Sequence, residues 1–478
     1  MALAIARPLT LARRALNIRR SVLSLRQSVA PAVVGGGSGH TPVQFAHGTS
    51  AGQHPSRKAW NAASIRSVLG SLDTRMSHST LAAPERKGSL RFESVARDDT
   101  VGCYRVGLSS GPEGVYPYVW LRDNCRCPEC YHPSSGQRTS DPAKMDPDIK
   151  PASEEIRSDG KVLQIIWPDG HLSEFDVAWL SRQRFSNNER DTVGSPELEM
   201  WGGELNDKIP TFDFQKVLHD DRELYNWLEV LNTKGLVMIK GAPTRKGVLQ
   251  ELSARIAYVK TTNYGETFQV FSKHDASNLA FTTKALCLHT DLPYYDYTPG
   301  IQMLHCIMQT STAKGGESQF VDGLMVAEQI RQEFPEMYKI LRSQEVDFRD
   351  VGEDYYVYHM KQRRPVIEYN SFGEFTRVNF NNHTRAPYMS LPVEKVRDMY
   401  KALKVFYDVM YRPENHVNFR LELGDIAAFN NGRVLHGRSS FTITKEGNRH
   451  LEGSFLDWDE THSRMRVLRE KLFGEQRM

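Results

Sequence analysis

No aspartate or glutamate precedes Asp73, whereas Arg7, Arg13, Arg14, Arg19, Arg20 and Arg26 are interleaved with Leu, Ile and Val. A basic, acid-poor segment that can form an amphipathic helix has the composition of a mitochondrial transit peptide. The Arg13-Arg14 pair interrupts the apolar core that a secretory signal needs. The alternative is a disordered tail without an address on a cytoplasmic protein, and the run Gly35-Gly36-Gly37-Ser38-Gly39 has a disordered composition in either case. No stretch reaches eighteen uninterrupted apolar residues, so the sequence offers no transmembrane helix. A net charge of +3 gives no argument for nucleic acid or a membrane surface. Six cysteines in 478 residues cannot make a disulfide scaffold. Three of them crowd together as Cys125, Cys127 and Cys130, a pattern that favours metal binding in a reducing compartment.

What is present divides into three. Residues 1–88 are the basic leader and its disordered continuation, residues 89–204 a small zinc-binding β domain, and residues 205–478 a larger domain. In the second segment, residues 115–121 read as a strand leading into the cysteines, and residues 162–167 and 171–175 read as a hairpin around Pro168-Asp169-Gly170. Three thiolates at this spacing can wrap one tetrahedral ion, with His171 or His132 as fourth ligand. No coordination position is then left for substrate, so the expected ion is structural Zn²⁺. The segment lacks the basic and aromatic stripe of a nucleic-acid module.

In the third segment Leu224, Trp227, Leu228 and Leu231 fall at helical spacing, residues 235–241 form a short buried strand, and residues 248–259 a second helix. From Tyr264 onward strands dominate, near residues 280–283, 301–306, 317–321, 366–369, 376–380, 426–429 and 449–455. One amphipathic helix interrupts them, with Val393, Val396, Met399, Tyr400, Leu403, Phe406, Tyr407 and Met410 on its apolar face. Many strands and few helices predict a mainly β domain with flanking helices, a double-stranded β-helix or jelly roll, which can gather ligands from different strands at one open end.

The chemistry is carried by Leu288-His289-Thr290-Asp291 and Arg433-Val434-Leu435-His436-Gly437. On an extended strand His289 and Asp291 point to one face and can grip one metal ion. His436 is the expected third ligand, following the apolar run that starts at Asp425 and a turn, Asn430-Asn431-Gly432, that reads as a tight hairpin. Two imidazoles and one carboxylate leave three positions open, the arrangement of a non-haem Fe(II) oxygenase. Such an enzyme needs a cation for the distal carboxylate of 2-oxoglutarate. Arg449 opens a strand expected to pair antiparallel with the one that carries His436.

From residue 115 onward the chain resembles the γ-butyrobetaine/trimethyllysine hydroxylase family, 2-oxoglutarate-dependent enzymes of carnitine synthesis. The resemblance runs through Val119-Trp120-Leu121-Arg122-Asp123-Asn124-Cys125, Trp167-Pro168-Asp169-Gly170-His171, Leu288-His289-Thr290-Asp291, Gly300-Ile301-Gln302, Asn379-Phe380-Asn381-Asn382, Val434-Leu435-His436-Gly437-Arg438 and Arg449-His450-Leu451-Glu452-Gly453. It implies iron ligands at His289, Asp291 and His436 and a 2-oxoglutarate arginine at Arg449. It also implies zinc ligands at Cys125, Cys127, Cys130 and His171, a cosubstrate contact at Ser318, and ascorbate as reductant. An aromatic cage for a trimethylammonium group falls on Tyr264, Phe268, Phe281 and Phe455. Ring faces suit a cation that has no proton to donate. Amides for the substrate carboxylate fall on Asn278 and Asn381. Against the family's pattern Phe268 replaces a Trp, Phe281 and Phe455 replace tyrosines, and Leu292 replaces a Tyr. The implied reaction is hydroxylation of γ-butyrobetaine to L-carnitine by a homodimer, with O₂ and a small quaternary amine as its partners. The alternatives are trimethyllysine or another quaternary amine as substrate, or a catalytically silent betaine-binding homologue.

Overall fold

The computed structural model describes residues 90–185, 191–271, 282–309, 315–442 and 449–474. The expected leader, Asn278 and Phe281 lie outside them. Two three-stranded antiparallel sheets begin the described chain, one of Phe92–Asp98, Cys103–Leu108 and Gly114–Pro117, the other of Ser153–Arg157, Val162–Ile166 and Leu172–Asp176. They share a core that includes Tyr104, Tyr116, Leu163, Ile165, Trp167 and Phe175. The expected hairpin is present, its turn closed by Gly170 at φ 80° and by a bond from the Trp167 amide to the His171 carbonyl. The expected strand over residues 115–121 is cut short. It stops at Pro117, and Tyr118–Asp123 is a helix. Proline has no N–H for a sheet ladder, and its fixed φ suits the position just before a helix.

The rest of the chain is built on two larger sheets, whose strands are β1 (Thr211–Asp213), β2 (Leu236–Lys240), β3 (Thr267–Val270), β4 (Leu286–His289), β5 (Ile301–Gln309), β6 (Ser318–Asp322), β7 (Val417–Phe419), β8 (Ile426–Asn430), β9 (Val434–Arg438) and β10 (Arg449–Leu456). One sheet runs β3-β10-β5-β8-β2-β1 and the other β4-β9-β6-β7. Side-chain alternation explains how they layer. On β2, Val237 and Ile239 pack under helices with Trp227, Leu228 and Leu231, while Leu236 and Met238 face the other way, into a cluster with Phe320 of β6 and Val434 of β9. A strand buried on both faces reads as an unbroken apolar run, and Leu-Val-Met-Ile is one. The helix Asp221–Lys234 is framed as its sequence requires, with Asp220 accepting from the Arg222 amide at its start and Gly235 left-handed at its end.

Two expected pairings are wrong. Residues 426–438 are not a hairpin. β8 lies between β5 and β2 in one sheet and β9 between β4 and β6 in the other, so the turn carries the chain across the sandwich. Likewise β10 pairs with β5 and β3, not with the His436 strand. Both of β9's edges are already taken, which leaves no room for either pairing. The helices Gly323–Glu333, Pro335–Ser343 and Trp458–Phe473 and the hairpin of Glu345–Glu353 with Val357–Pro365 were not anticipated. The helix Val393–Met410 is present, but only part of its expected apolar face is buried. Met399, Phe406 and Met410 are inside, whereas Val393 is 85% exposed and Tyr400 50%.

Candidate active site

His289 ends β4 and stands directly opposite His436 on β9 in the antiparallel ladder. Three residues of β4 span what two of β9 span between this pair and Leu286 opposite Arg438. The extra residue is a bulge, a device that re-aims side chains. The two imidazole centroids are 4.3 Å apart. Asp291 is not on the strand, as the alternation argument assumed, but in the turn that follows. Its amide donates to Asn431 Oδ1 at 2.7 Å and its carbonyl accepts from Asn431 Nδ2 at 2.9 Å. Leu292 turns the chain in the left-handed region at φ 59°. That clamp delivers Asp291 Oδ1 to 3.2 Å from His289 Nε2 and Oδ2 to 3.8 Å from His436 Nε2.

The donor set fits a divalent metal ion, since its three ligand atoms lie within 4.8 Å of one another. His289 Nδ1 lies 2.8 Å from the Cys287 carbonyl, the kind of contact that orients a ligating imidazole so that Nε2 faces the ion. Burial, with His289 facing it, pushes the His436 imidazole down to about 3, so the ring is neutral at physiological pH. Burial pulls the Asp291 carboxyl upward. The hydrogen bond with His289, with His436 next in effect, outweighs it and holds the group below the usual carboxylate range.

These three side chains line a cavity of about 100 Å³. Arg449, Arg438 and Ser318 line it from one side, Tyr264, Phe268 and Tyr294 from another, with Asn381 also in the wall. Asp291 is the one carboxylate among its described lining residues. Arg449 is 7% exposed, and burial followed by the neighbouring Arg438 lowers its pKa to about 10. Arg438 sits across the ladder from Ser318 and donates to the carbonyls of Thr282 and Lys284 at 2.7 and 2.9 Å. Two arginines beside one carboxylate make a site for an anion with more than one charge.

The ring end is arranged differently from expectation. Tyr264 and Phe268 line the cavity with centroids 5.8 Å apart. Phe455 does not line it. It is buried behind Phe268, stacked at 5.2 Å, and so supports the ring that faces the cavity. Phe268 lies so closely on Gly453 that a Cβ there would stand 2.1 Å from the ring. Asn381 has its oxygen engaged by the amides of His383 and Thr384, and its nitrogen donates to the Thr290 carbonyl.

The cysteines form a second cluster. Sγ atoms of Cys125, Cys127 and Cys130 lie 3.2, 3.5 and 3.5 Å from His171 Nε2. Ligands at roughly 2.3 and 2.0 to 2.1 Å around a tetrahedral ion stand roughly 3.5 Å apart, so the four donors fit zinc. His132 is elsewhere, its Nδ1 contacted by Ser134 and Ser135 of its own turn.

Sequence reasoning missed Arg438, Tyr294 and Gln302, all three in the cavity wall, and the clamp at Asn431. Arg438 was within reach, since it is two residues from His436 on the same strand face. The others depend on long-range register that local spacing does not encode.

Residues 195–455 match the taurine catabolism dioxygenase TauD, TfdA family, and residues 104–181 match the N-terminal γ-butyrobetaine hydroxylase-like family. The chain is 41% identical to the γ-butyrobetaine dioxygenase of Homo sapiens, an alignment covering 75% of this chain and 92% of that protein. It is 36% identical to the γ-butyrobetaine dioxygenase of Pseudomonas sp. strain AK-1, over 76% of this chain and 93% of the relative. Human mitochondrial trimethyllysine dioxygenase is 32% identical, over 74% and 82%.

Proposed function

Since the chain belongs to the TauD, TfdA dioxygenase family and to its γ-butyrobetaine hydroxylase-like branch, we propose that it hydroxylates an unactivated C–H of γ-butyrobetaine to give L-carnitine. The family's chemistry is Fe(II)- and 2-oxoglutarate-dependent, and no helix among the described residues is long and apolar enough to cross a membrane. In this reading His289, Asp291 and His436 hold the iron, and Arg449, with Arg438 and Ser318 beside it, takes the far carboxylate of 2-oxoglutarate. Bound iron and cosubstrate supply the oxidising power, with one atom of O₂ entering the substrate and 2-oxoglutarate leaving as succinate and CO₂. The protein's own part is placement. Ring faces of Tyr264 and Phe268 hold the trimethylammonium group, and fixing that end decides which carbon meets the reactive centre. The observation that carries the reading is one cavity with two arginines, a two-histidine, one-carboxylate set and aromatic faces in its wall.

The finer parts belong to the same proposal. The two large sheets are a jelly roll, residues 89–204 are a zinc-binding β domain with Cys125, Cys127, Cys130 and His171 as ligands, and residues 205–478 are the catalytic domain. Asn278 and Phe281 complete the substrate site. The chain acts as a mitochondrial homodimer with ascorbate as reductant. The test is succinate release by purified protein with Fe(II), ascorbate and 2-oxoglutarate, comparing γ-butyrobetaine with trimethyllysine. The proposal expects the first amine to stimulate release well above the second, and His436→Ala to abolish it. Equal or greater stimulation by trimethyllysine overturns the substrate. Stimulation that survives His436→Ala overturns the metal site.

A further inference from the structure

A second cavity, of about 240 Å³, lies between the helix Val393–Met410 and a wall that includes Val346 and Phe348 of the strand Glu345–Glu353 and Val366 just after the strand Val357–Pro365. One ordered water needs roughly 10–15 Å³ of such space, so this is room for the body of a ligand. Its wall is mainly apolar, with Phe380 and Leu403 among the lining residues. At its mouth are the half-exposed Tyr400 and Tyr407, part of the predicted apolar helix face that is not buried in the core.

Among the described lining residues are two cations and no carboxylate. They differ in what they already hold. Lys404 Nζ is paired with Asp408 at 2.5 Å. Arg385 has its guanidinium carbon 5.1 Å from the Tyr400 ring centroid, and among the described residues no carboxylate pairs with it. A planar guanidinium held against an aromatic ring keeps its fork of donors for a carboxylate, and an apolar chamber beside it accepts a hydrocarbon.

We infer that this cavity is a binding site for a small monocarboxylate with an apolar tail, its head on Arg385 and its tail between Phe380 and Leu403. The site is separate from the reaction cavity but shares a wall with it. Asn381 lines both, and the intervening segment is bonded to the metal-ligand turn, Thr290 N to the Phe380 carbonyl at 2.8 Å and Phe380 N to Thr290 Oγ1 at 3.2 Å. An occupant would therefore bear on the segment that carries Asn381, His383 and Thr384 past the reaction cavity.

The test is calorimetric titration of the full-length protein with hexanoate, and with hexylammonium as the charge control. Arg385→Gln and Leu403→Trp, which fills the chamber, are compared with Arg449→Met, which alters only the reaction cavity. The expected result is saturable binding of hexanoate alone, weakened about tenfold or more by each of the first two substitutions and retained by the third. If Leu403→Trp does not fold, Arg385→Gln decides. The inference is overturned by no saturable binding, by equal binding of hexylammonium, or by binding that Arg449→Met removes and Arg385→Gln leaves intact.

Discussion

Arg433 and Arg449 are both buried arginines, one entering β9 and one opening β10, yet the protein treats them in opposite ways. Arg433 is 1% exposed and sealed. Its Nε and Nη2 donate to the two carboxylate oxygens of Asp322 at 2.9 and 2.7 Å, and Nη1 donates to the Thr233 carbonyl at 2.7 Å. Asp322 in turn accepts from the Trp201 amide at 3.2 Å and caps the helix that begins at Gly323 through the Leu324 amide. The pair ties the turn between the two sheets to the start of a helix. Arg449 instead opens on the reaction cavity with a second cation, Arg438, as neighbour, and burial has already lowered its pKa. A buried cation given a bidentate carboxylate and backbone carbonyls is architecture. One that faces a cavity beside another cation is, in the proposed function, a receptor for an anion.

The largest effect should come from breaking the sealed pair. Asp322→Ala leaves a buried guanidinium uncompensated, and loss of one partner of such a pair costs about 3–5 kcal/mol. We expect that loss of unfolding stability in denaturant melts, with activity falling only as the folded fraction falls. Arg449→Met should do the reverse. It removes charge-assisted hydrogen bonds worth about 1.5–3 kcal/mol each, so the KM for 2-oxoglutarate should rise roughly 100-fold while the melting midpoint holds or increases. If Arg449→Met unfolds the protein as readily as Asp322→Ala does, the distinction between the two arginines fails.

Arg438 falls between these extremes, holding two carbonyls of residues 282 and 284 while it lines the cavity. Arg438→Gln should therefore raise the KM for 2-oxoglutarate by about tenfold, or 1.4 kcal/mol, and cost a measurable part of the stability as well. Steady-state kinetics set beside a thermal melt of the same preparation separates the two contributions.

How far the sequence could anticipate this follows the same division. The two clusters that could hold a metal were partly legible because short spacings carry them: His289 and Asp291 are two apart and Cys125, Cys127 and Cys130 nearly contiguous, whereas spacing alone left His171 and His132 both open as the fourth donor. The buried run of β2 and the helix before it were legible from periodicity and from Asp220 and Gly235 at the helix ends. Strand partners were not. β8 and β9 look like a hairpin because a turn sequence joins two apolar runs, and nothing local records that β8 is already flanked on both sides. The outer face of Val393–Met410 failed for a related reason. Tyr400 and Tyr407 satisfy a helical stripe, but the surface they would need opposite them is a cavity. The cage assignment of Phe455 went astray because β10 presents it to the core behind Phe268.

At the other end of the reaction cavity the charge relationship is inverted, and the smallest predicted effect lies there. The proposed ligand brings the cation and the protein brings ring faces, Tyr264 and Phe268, with Phe455 stacked behind. An indole face binds a cation better than a phenyl face, by a fraction of the about 0.5–1 kcal/mol such contacts supply at partly wet sites. Phe268→Trp should thus lower the KM for γ-butyrobetaine about twofold. It should leave the KM for 2-oxoglutarate unchanged, because Arg449 is untouched. The larger ring has room only if it keeps to the plane of Phe268, since Gly453 beneath offers no space for displacement toward the sheet. Steady-state kinetics on the amine and on an isosteric neutral analogue, with a tert-butyl group in place of trimethylammonium, decides the matter. A gain confined to the charged compound means that the ring acts on charge. An equal gain on both means that Phe268 only fills space, and the symmetry between the two ends of the cavity is then broken.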